Sequence, residues 1–537
     1  MTVTPPVSTR LAPLLPWGAA LLSGALLALC FAPWEHANLV WIALTPLIWA
    51  LWSGPRSCTP GRAAALGSTT GVVFFTTSFH WLSELAPLFE APFLCGIPLL
   101  LGAYLAIYPA VWAALIHNPP VLHERTATQS FQNVIFALRG AGAWVALEWL
   151  RGWLFGGFGW NILGVALHNN LALAQIADLF GALGLSFLAA YTNMIGALVI
   201  RNFQPSFHAL PRIRIEVMSV LLLIGMSVSY GIRCVMHPDF GPRVPLRAVC
   251  LQTNIAQTQK FNPGEEDALL ETLRRMTGLA SSLQPGADLV LWPEAAIPRG
   301  IFAEQSLKHF AFEQMRNAGA PLLLGSLEPA SLADGSQDTA VYNSALLLTD
   351  SPPALQSSQK RHLVPFGEFL PLRDWLPEIL QELVPGDITP GKTPRLLSLS
   401  KPAVQLGPLI CFEDSLSRET TDLARAGAQV LVNITNDAWF GTSCAASQHF
   451  ANAHLRAIET RLPLIRCTNT GITCAVDAQG RVESRLQPFS EGLDTFRILV
   501  PEHPRLTLYS RFGDLWVIGC GLNAIALILT RRRLPTL

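Results

Sequence analysis

The chain has 537 residues, of which 50% are hydrophobic and only 14% are charged, whereas about a quarter of the residues of a typical soluble protein are charged. Its 37 Lys and Arg residues balance its 37 Asp and Glu residues, so there is no global positive field of the kind that attracts nucleic acid. This composition argues against a purely soluble protein and against a nucleic-acid partner.

The apolar residues are concentrated towards the two ends of the chain, and the middle has the composition of a globular protein. We therefore predict an N-terminal membrane domain over residues 1–240, a soluble domain over residues 241–505, and a C-terminal transmembrane helix with a basic tail over residues 506–537.

Seven apolar stretches before the soluble part and one after it predict transmembrane helices, because a bilayer core needs about 20 apolar residues per helix. In chain order they are Leu11–Phe31, Leu39–Trp52, Ala63–Trp81, Phe93–Ile116, Val134–Leu150, Ala174–Ile200, Val217–Val235 and Leu515–Leu529. The N-terminus lacks the small-residue cleavage site of a secretory signal. Buried helices of a soluble protein are the alternative, but the distribution of arginines would then be accidental.

Arginines alternate with acidic residues in the loops between these stretches. The arginines on one side are Arg10, Arg56, Arg62, Arg125, Arg201, Arg212, Arg214, Arg531, Arg532 and Arg533. The opposite loops carry Glu35, Glu84 and Glu90, with Arg151 as the prominent cation. The positive-inside rule then predicts that both termini are cytoplasmic and that the soluble domain lies on the outer side.

One outer loop, Arg151–Asn161, is rich in aromatic and glycine residues, including Trp153 and Trp160. Tryptophans are typical of the membrane–water interface, and glycines allow close backbone packing. Two interpretations remain open: a simple interfacial belt, or the floor of an entry path for lipid.

Strands and helices alternate through the soluble part, which indicates a layered α/β fold. The predicted strands are Leu246–Gln252, Leu289–Trp292, Pro321–Gly325, Val341–Leu348, Val404–Ile410, Val430–Ile434, Leu464–Thr468, Thr473–Asp477 and Phe496–Val500. The predicted helices are Glu265–Leu283, Ser306–Ala318, Phe369–Leu383, Ser415–Ala426 and Ser447–Arg461.

Three residues with complementary chemistry stand at or near predicted strand ends: Glu294, Lys360 and Cys411. A carboxylate can take the proton of a thiol, a thiolate can attack a carbonyl, and an ammonium can stabilise the resulting oxyanion. Each residue alone has an ordinary interpretation, as a solvated strand end, a surface lysine or a buried inert thiol. Together they predict nucleophilic catalysis.

The motifs Trp292-Pro293-Glu294, Lys360–Glu368 and Cys411-Phe412-Glu413 resemble the nitrilase superfamily. With seven preceding spans and one following, the chain resembles the apolipoprotein N-acyltransferase family. The resemblance extends to Phe31-Ala32-Pro33, the Arg151–Trp160 loop, Gln252–Ile255 and Thr435–Gly441. It implies a multi-span α-helical membrane domain plus a nitrilase-like α-β-β-α sandwich. The membrane domain would lie in the bacterial inner membrane and the sandwich in the periplasm.

The resemblance also implies an activity. Cys411 would take an acyl chain from a membrane phospholipid as a thioester and pass it to the α-amine of a diacylglyceryl-cysteine at the N-terminus of an apolipoprotein. Glu294 would be the general base and Lys360 the oxyanion partner, with Glu368 and Glu413 as further acidic residues of the active site. We expect a monomer that needs no cofactor.

Several further residues are candidates for supporting roles. Phe412 and Phe261 stand where the family commonly has tyrosine and tryptophan; both keep an aromatic ring but lack the phenol or indole hydrogen-bonding group. Asn343 is a candidate polar support, and Trp439 and Phe440 either line an acyl pocket or pack in the core. Trp375 lies in the predicted helix Phe369–Leu383, whose apolar face is either core or a lid against lipid.

The alternatives to an acyltransferase are a membrane-tethered nitrilase-type amidase and a non-catalytic protein that binds lipid. Among the ten cysteines no pair has CxxC spacing, and HExxH is absent, so we predict no metal site. The sequence leaves open whether a disulfide forms.

Overall fold

The computed structural model describes residues 13–53, 58–120, 127–202, 214–238, 241–283, 286–329, 340–350, 352, 354–381 and 386–531. Of the arginines used to predict orientation, Arg10, Arg56, Arg125, Arg212, Arg532 and Arg533 lie outside the described residues. The chain forms two compact units. The first comprises residues 1–83, 93–235 and 514–537, and the second comprises residues 84–92 and 236–513.

The described part of the first unit is helical. Its α-helices are Leu15–Leu29, Thr45–Trp52, Pro60–Ser78, Ile97–Leu105, Ile107–Ile116, Ala127–Arg151, Leu171–Ala174, Ala177–Phe180, Ala182–Asn202, Arg214–Met236 and Leu515–Arg531. Short 3-10 helices occur at Ala37–Trp41, Leu154–Gly156 and Leu163–Leu167. The prediction of a helical N-terminal region is confirmed.

Among the described residues, three helical stretches are long and apolar enough to cross a membrane: Pro92–Ile116, Ala182–Arg201 and Ile215–Met236. They overlap three of the predicted spans, Phe93–Ile116, Ala174–Ile200 and Val217–Val235. Shorter apolar helices lie at Leu15–Leu29, Ala37–Trp52, Leu171–Phe180 and Leu515–Ile525. The predicted span Ala174–Ile200 is broken at Gly181, whose φ of 66° is a left-handed conformation that ends the preceding helix. The full set of seven spans plus one stays a prediction.

The strands of the second unit are β1 Arg243–Gln252, β2 Leu289–Leu291, β3 Leu322–Pro329, β4 Val341–Leu348, β5 Leu355–Gln359, β6 Leu397–Ser400, β7 Ala403–Ile410, β8 Val430–Thr435, β9 Leu464–Thr468, β10 Cys474–Val476, β11 Val482–Arg485 and β12 Gly492–Pro501. Within the described residues they form two six-stranded sheets, in the orders β12-β1-β2-β3-β4-β5 and β11-β10-β9-β8-β7-β6. Strands β1–β3 and β7–β9 are parallel.

The helices of this unit are Leu85–Leu88, Gln257–Lys260, Glu266–Ser282, Gln305–Ala318, Glu378–Gln381, Ser417–Arg425, Ala445–Thr460 and Leu508–Phe512. Alternate residues of the central strands enter different cores, as the two-residue period of a strand requires. In β1, Leu246 and Cys250 join a core shared by both sheets, whereas Leu251 packs with the helices that cover the first sheet. Leu431 of β8 similarly packs under Ser417–Arg425 and Ala445–Thr460. The predicted α-β-β-α sandwich is confirmed.

Two details of the prediction are wrong. The helix predicted over Phe369–Leu383 is replaced by a 3-10 turn at Arg373–Trp375 and a single helical turn at Glu378–Gln381, because Pro377 interrupts the segment. Leu383 lies outside the described residues. The short strands β5, β6 and β11 were not predicted, since β5 has a single apolar residue, β6 is only four residues long and β11 is exposed throughout.

Candidate active site

The strand directions bring the three predicted catalytic residues to the same kind of position. Glu294 follows the end of β2, and Lys360 follows the end of β5. Because β4 is antiparallel to both β3 and β5, and β3 is parallel to β2, strands β2 and β5 end at the same edge of the first sheet. Cys411 follows β7 of the second sheet, where parallel strands also end.

Lys360 is the centre of the site. Its ammonium group is buried, with a side chain only 1% exposed, and donates a hydrogen bond to Glu368 Oε1 at 2.9 Å. The same nitrogen lies 2.9 Å from Glu368 Oε2 and 3.7 Å from Glu294 Oε1. One buried cation therefore faces two carboxylates.

Asn343, at the start of β4, bridges these carboxylates. Its Nδ2 donates hydrogen bonds to Glu294 Oε1 at 2.9 Å and to Glu368 Oε1 at 3.1 Å. Its main-chain carbonyl accepts the backbone N–H of Lys360 at 2.7 Å. Asn343 thus fixes all three charged residues relative to one another.

Cys411 stands on a strained turn, since its φ of 55° lies in the left-handed region that non-glycine residues rarely adopt. Its carbonyl accepts a hydrogen bond from Asn433 Nδ2 at 2.8 Å. Burial raises the pKa of the Cys411 thiol, and Glu294 and Glu368 raise it further, whereas Lys360 lowers it. The resting group is therefore a thiol, which needs a base during attack on a carbonyl.

Lys360 stays charged throughout the physiological range. Burial alone lowers the pKa of an ammonium, but Glu368, Cys411 and Glu294 more than offset this effect and raise the pKa of Lys360 above its usual value. A permanently charged ammonium beside a half-buried thiol is suited to stabilise an oxyanion.

Glu413 ties the turn after Cys411 to the segment after Lys360. Its Oε1 accepts the backbone N–H groups of Arg361 at 2.7 Å and His362 at 3.0 Å, and its Oε2 accepts that of Ile410 at 2.8 Å. The residue is buried, and burial raises the pKa of its carboxyl group. These hydrogen bonds are all with backbone groups, so Glu413 holds the segment after Lys360 against the end of β7.

Phe412 lies beside the lysine, with the Lys360 Nζ 5.7 Å from its ring centroid and the His362 ring in a T-shaped contact at 5.5 Å. These contacts use the face and edge of the ring and need no phenol hydroxyl. Phenylalanine therefore keeps the packing that a tyrosine at this position would provide.

The predicted aromatic residues are found in several places. Phe261 and Phe89 each lie 6.2 Å from Trp439 between ring centroids, and Phe261 is 52% exposed. Phe440 is half-buried on the same turn as Trp439, and Trp375 is 85% exposed. In the first unit, Trp153 is 51% exposed, whereas Trp160 is buried and packs against Trp81 at 5.6 Å.

Sequence reasoning missed a buried charged cluster directly after Cys411. Asp414 Oδ1 lies 2.7 Å from His449 Nε2, and Asp414 Oδ2 accepts a hydrogen bond from Arg466 Nε at 2.8 Å. His449 Nδ1 lies 2.8 Å from Asp437 Oδ1. Each ring nitrogen of His449 faces a carboxylate, so both nitrogens carry a proton and donate a hydrogen bond. Burial alone would lower the pKa of His449, but the two carboxylates outweigh this effect and raise it.

Sequence reasoning also missed Lys260, whose Nζ donates a hydrogen bond to the main-chain carbonyl of Glu294 at 2.8 Å. The only signal in the sequence was its position next to Phe261. A lysine in a polar stretch is normally exposed, and the burial of this one depends on tertiary packing.

Comparisons with known proteins agree with this architecture. The apolipoprotein N-acyltransferase N-terminal domain family matches residues 23–195, and the carbon-nitrogen hydrolase family matches residues 248–501. The apolipoprotein N-acyltransferase of Geobacter metallireducens is 34% identical, over 96% of this chain and 95% of its own. The one of Bradyrhizobium diazoefficiens is 32% identical, over 97% of each chain.

Among solved structures, an amidase from Nesterenkonia sp. matches 50% of this chain and 95% of its own at 20% identity, with a TM-score of 0.36. A likeness at that level adds no argument to the family matches.

Proposed function

Because the chain belongs to the apolipoprotein N-acyltransferase family, we propose that it acylates the N-terminus of lipoproteins in two steps on Cys411. The acyl donor in this proposal is a membrane phospholipid, and the acceptor is the α-amine of a diacylglyceryl-cysteine. The observation that carries the proposal is the buried Lys360 ammonium between Glu294 and Glu368, within electrostatic reach of the Cys411 thiol.

In the first step, Glu294 takes the proton of the thiol as the sulfur attacks the ester carbonyl of the phospholipid. The negative charge passes to the carbonyl oxygen, and Lys360 stabilises this oxyanion. When the tetrahedral intermediate collapses, the ester C–O bond breaks and Glu294 returns the proton to the departing oxygen. A lysophospholipid leaves, and Cys411 holds the acyl chain as a thioester.

In the second step, the lipoprotein amine attacks the thioester carbonyl and Glu294 accepts a proton from the amine. Lys360 again stabilises the oxyanion. Collapse breaks the C–S bond, the thiolate takes the proton back, and an amide is formed. The thioester is more reactive towards an amine than the original ester, so splitting the reaction lowers the barrier of the transfer.

We further propose that the protein lies in the bacterial inner membrane, with both termini cytoplasmic and the catalytic unit in the periplasm. The proposal is supported by Arg62, Arg201 and Arg214, which lie near helix ends predicted to face one side, and by Glu84 and Glu90, which lie in a connection predicted to face the other. The protein acts as a monomer in this account, because one chain supplies Glu294, Lys360 and Cys411.

An amidase would use the same three residues, with water as the acceptor of the acyl group. The three helical stretches long enough to span a membrane favour a lipid substrate instead. They would hold both lipid substrates in the same membrane as the thiol, which raises their effective concentration.

The test uses the purified full chain in detergent with a diacylglyceryl lipopeptide and a radiolabelled phospholipid. We expect label on the lipopeptide when its amine is free and none when the amine is acetylated. Cys411→Ala abolishes transfer, whereas Cys444→Ala, which removes another half-buried thiol of the same unit, does not. Release of free fatty acid without lipopeptide labelling would identify a hydrolase, and labelling only from acyl-coenzyme A would reject the phospholipid donor.

A further inference from the structure

Lys260 is a second buried ammonium in the catalytic unit. It ends the short helix Gln257–Lys260 and is only 4% exposed, although lysines are almost never fully buried unless they are paired. Its Nζ donates a hydrogen bond to the carbonyl of Glu294 at 2.8 Å. Within the described residues, it has no carboxylate partner at ion-pair distance.

The charged groups that face Lys260 belong to the reaction centre. Burial lowers the pKa of Lys260 to about 8, and Glu294 and Cys411 act in the opposite direction. Lys360 differs, because Glu368 is paired with it directly and raises its pKa. One lysine of the site therefore keeps its proton at all moderate pH values, and the other releases it in a range where the enzyme can be assayed.

A network of buried amides holds the segment that carries Lys260. Asn469 Oδ1 accepts hydrogen bonds from Thr253 Oγ1 at 2.6 Å and from the Ile255 N–H at 2.9 Å. Asn436 Nδ2 donates to Gln257 Oε1 at 2.8 Å, and Asn469 Nδ2 donates to Asn436 Oδ1 at 2.9 Å. These contacts fix the segment that leads into the short helix and the first residue of that helix.

The backbone of Glu294 is constrained on its other sides as well. Ala295 has a φ of 45°, in the left-handed region. A Cβ at Gly325 would come within 2.7 Å of Glu294 Cα, so only glycine allows the strand to approach this closely. The hydrogen bond from Lys260 completes this set of constraints on the general base.

We propose that Lys260 is a positioning residue that also tunes the nucleophile: it anchors the backbone of Glu294, and its charge stabilises the thiolate character of Cys411 in both half-reactions. This inference rests on the proposed role of Cys411 as the nucleophile. The Lys260 ammonium interacts electrostatically with Glu294 and Cys411, and such interactions are strong where the local dielectric is low.

The experiment measures alkylation of Cys411 by iodoacetamide as a function of pH, with the modified peptide quantified by mass spectrometry. It needs no acyl donor or lipoprotein, so its failure is distinct from a failure of the proposed function. In the wild type, the logarithm of the rate rises with pH but bends to a lower slope near pH 8, as Lys260 loses its proton and thiolate formation becomes harder.

Lys260→Met removes the charge from a chain of similar length, and we expect alkylation at pH 7 to slow about tenfold, equivalent to a shift of one unit in the thiol pKa. Lys260→Arg keeps the charge, and the bend near pH 8 should disappear. Lys401→Met, on an exposed turn, is the matched control and should behave as the wild type.

A purely structural role for Lys260 predicts no change in the slope at pH 8. A straight wild-type profile would therefore overturn the proposal, and this measurement does not depend on whether any variant folds. An unchanged rate in Lys260→Met would also overturn it.

Discussion

At the scale of single residues, the candidate site pairs opposite charges that are buried together. Two carboxylates, Glu294 and Glu368, face one buried ammonium on Lys360, and the amide of Asn343 donates to both. In the proposed mechanism Glu294 has to be ionised to act as a base. A neighbour that donates a hydrogen bond to the carboxylate favours its ionised form, and an added negative charge nearby disfavours that form.

The first prediction concerns Asn343. Asn343→Asp keeps the shape of the side chain but places a third carboxylate where Glu294 now receives a hydrogen bond. We expect the acyl-transfer rate at pH 7 to fall about 100-fold, in line with the usual contribution of a general base, and to recover partly at higher pH. Asn262→Asp is the control, because this exposed residue accepts a hydrogen bond that an aspartate also accepts. An unaffected rate in Asn343→Asp would show that the bridge is dispensable.

The second prediction concerns Phe412. Its ring face and edge contact Lys360 and His362. Phe412→Ala should reduce the transfer rate about tenfold, since a desolvated cation–π contact is worth about 1–2 kcal/mol and the lysine loses its packing partner. Phe412→Tyr restores a ring and should stay within about twofold of the wild type in the same assay. A large loss in the tyrosine variant would contradict the packing role.

At the scale of elements, the turn after β7 is held by buried charges. Glu413 fastens it to the Lys360 segment, and Asp414 connects it to His449 and Arg466. Burial raises the pKa of an acid, but the cations His449 and Arg466 dominate here and hold the pKa of Asp414 and of Asp437 below the ordinary value of 3.8. The cluster links the turn that begins at Cys411 to the helix Ala445–Thr460.

The third prediction is a pH dependence of stability. The lowered pKa values of Asp414 and Asp437 mean that their contribution is present above pH 3.8 and is lost as the pH falls below it. The raised pKa of His449 means that its contribution is complete below its ordinary value of 6.5 and is lost as the pH rises through the higher folded-state value. The free energy of unfolding from this cluster is therefore largest between these limits.

The measurement is thermal unfolding of the purified protein at pH 5.5 and pH 9, compared with His449→Gln. We expect the variant to unfold at a lower temperature at pH 5.5, because breaking a buried ion pair costs about 3–5 kcal/mol, and the difference between the two proteins to shrink at pH 9. His309→Gln, which changes a histidine in the helix Gln305–Ala318, is the control. A difference that grows with pH would reverse the assigned sign.

The elements also show how far the sequence could be interpreted. Strands such as Val341–Leu348 and Leu464–Thr468 were predicted with their observed bounds, since each is a short stretch rich in apolar residues. The segment Phe369–Leu383 has helical spacing of apolar residues, but Pro377 removes the backbone donor that a continuous helix needs. Spacing alone does not report that loss.

The candidate site also contains residues that the sequence predicted and residues that it did not. Glu294, Lys360 and Cys411 were predicted because each stands at a strand end within a recognisable motif. Lys260, Arg466 and His449 were not, because their importance comes from burial beside residues that are distant in the sequence. Two buried carboxylates around His449 leave no local pattern that distinguishes it from any other helical histidine.

At the scale of the whole molecule, an apolar helical unit and an α/β catalytic unit occupy one chain. Residues 84–92 belong to the catalytic unit although they come from a loop of the helical part, and Phe89 packs with Trp439. The predicted boundary at residue 240 did not include this segment, because a contact between distant parts of the chain is invisible in composition.

The fourth prediction tests the orientation in the membrane. In intact spheroplasts, a membrane-impermeant maleimide should label Ser281→Cys, at the exposed end of a helix in the catalytic unit, but not the native Cys58, which lies near Arg62. Permeabilised cells should show labelling of both. Labelling of Cys58 alone in intact spheroplasts would mean that the positive-inside rule assigned the wrong side.

The central claim is that the sulfur of Cys411 carries the acyl chain between donor and acceptor. It is tested by incubating the protein with phospholipid alone, quenching with acid and measuring the intact mass. We predict a gain of one acyl chain, located on Cys411, removed by neutral hydroxylamine, absent in Cys411→Ala and retained in Cys444→Ala. An unmodified mass in a preparation that still transfers acyl chains to lipopeptide would contradict the thioester and require direct transfer between the two lipids.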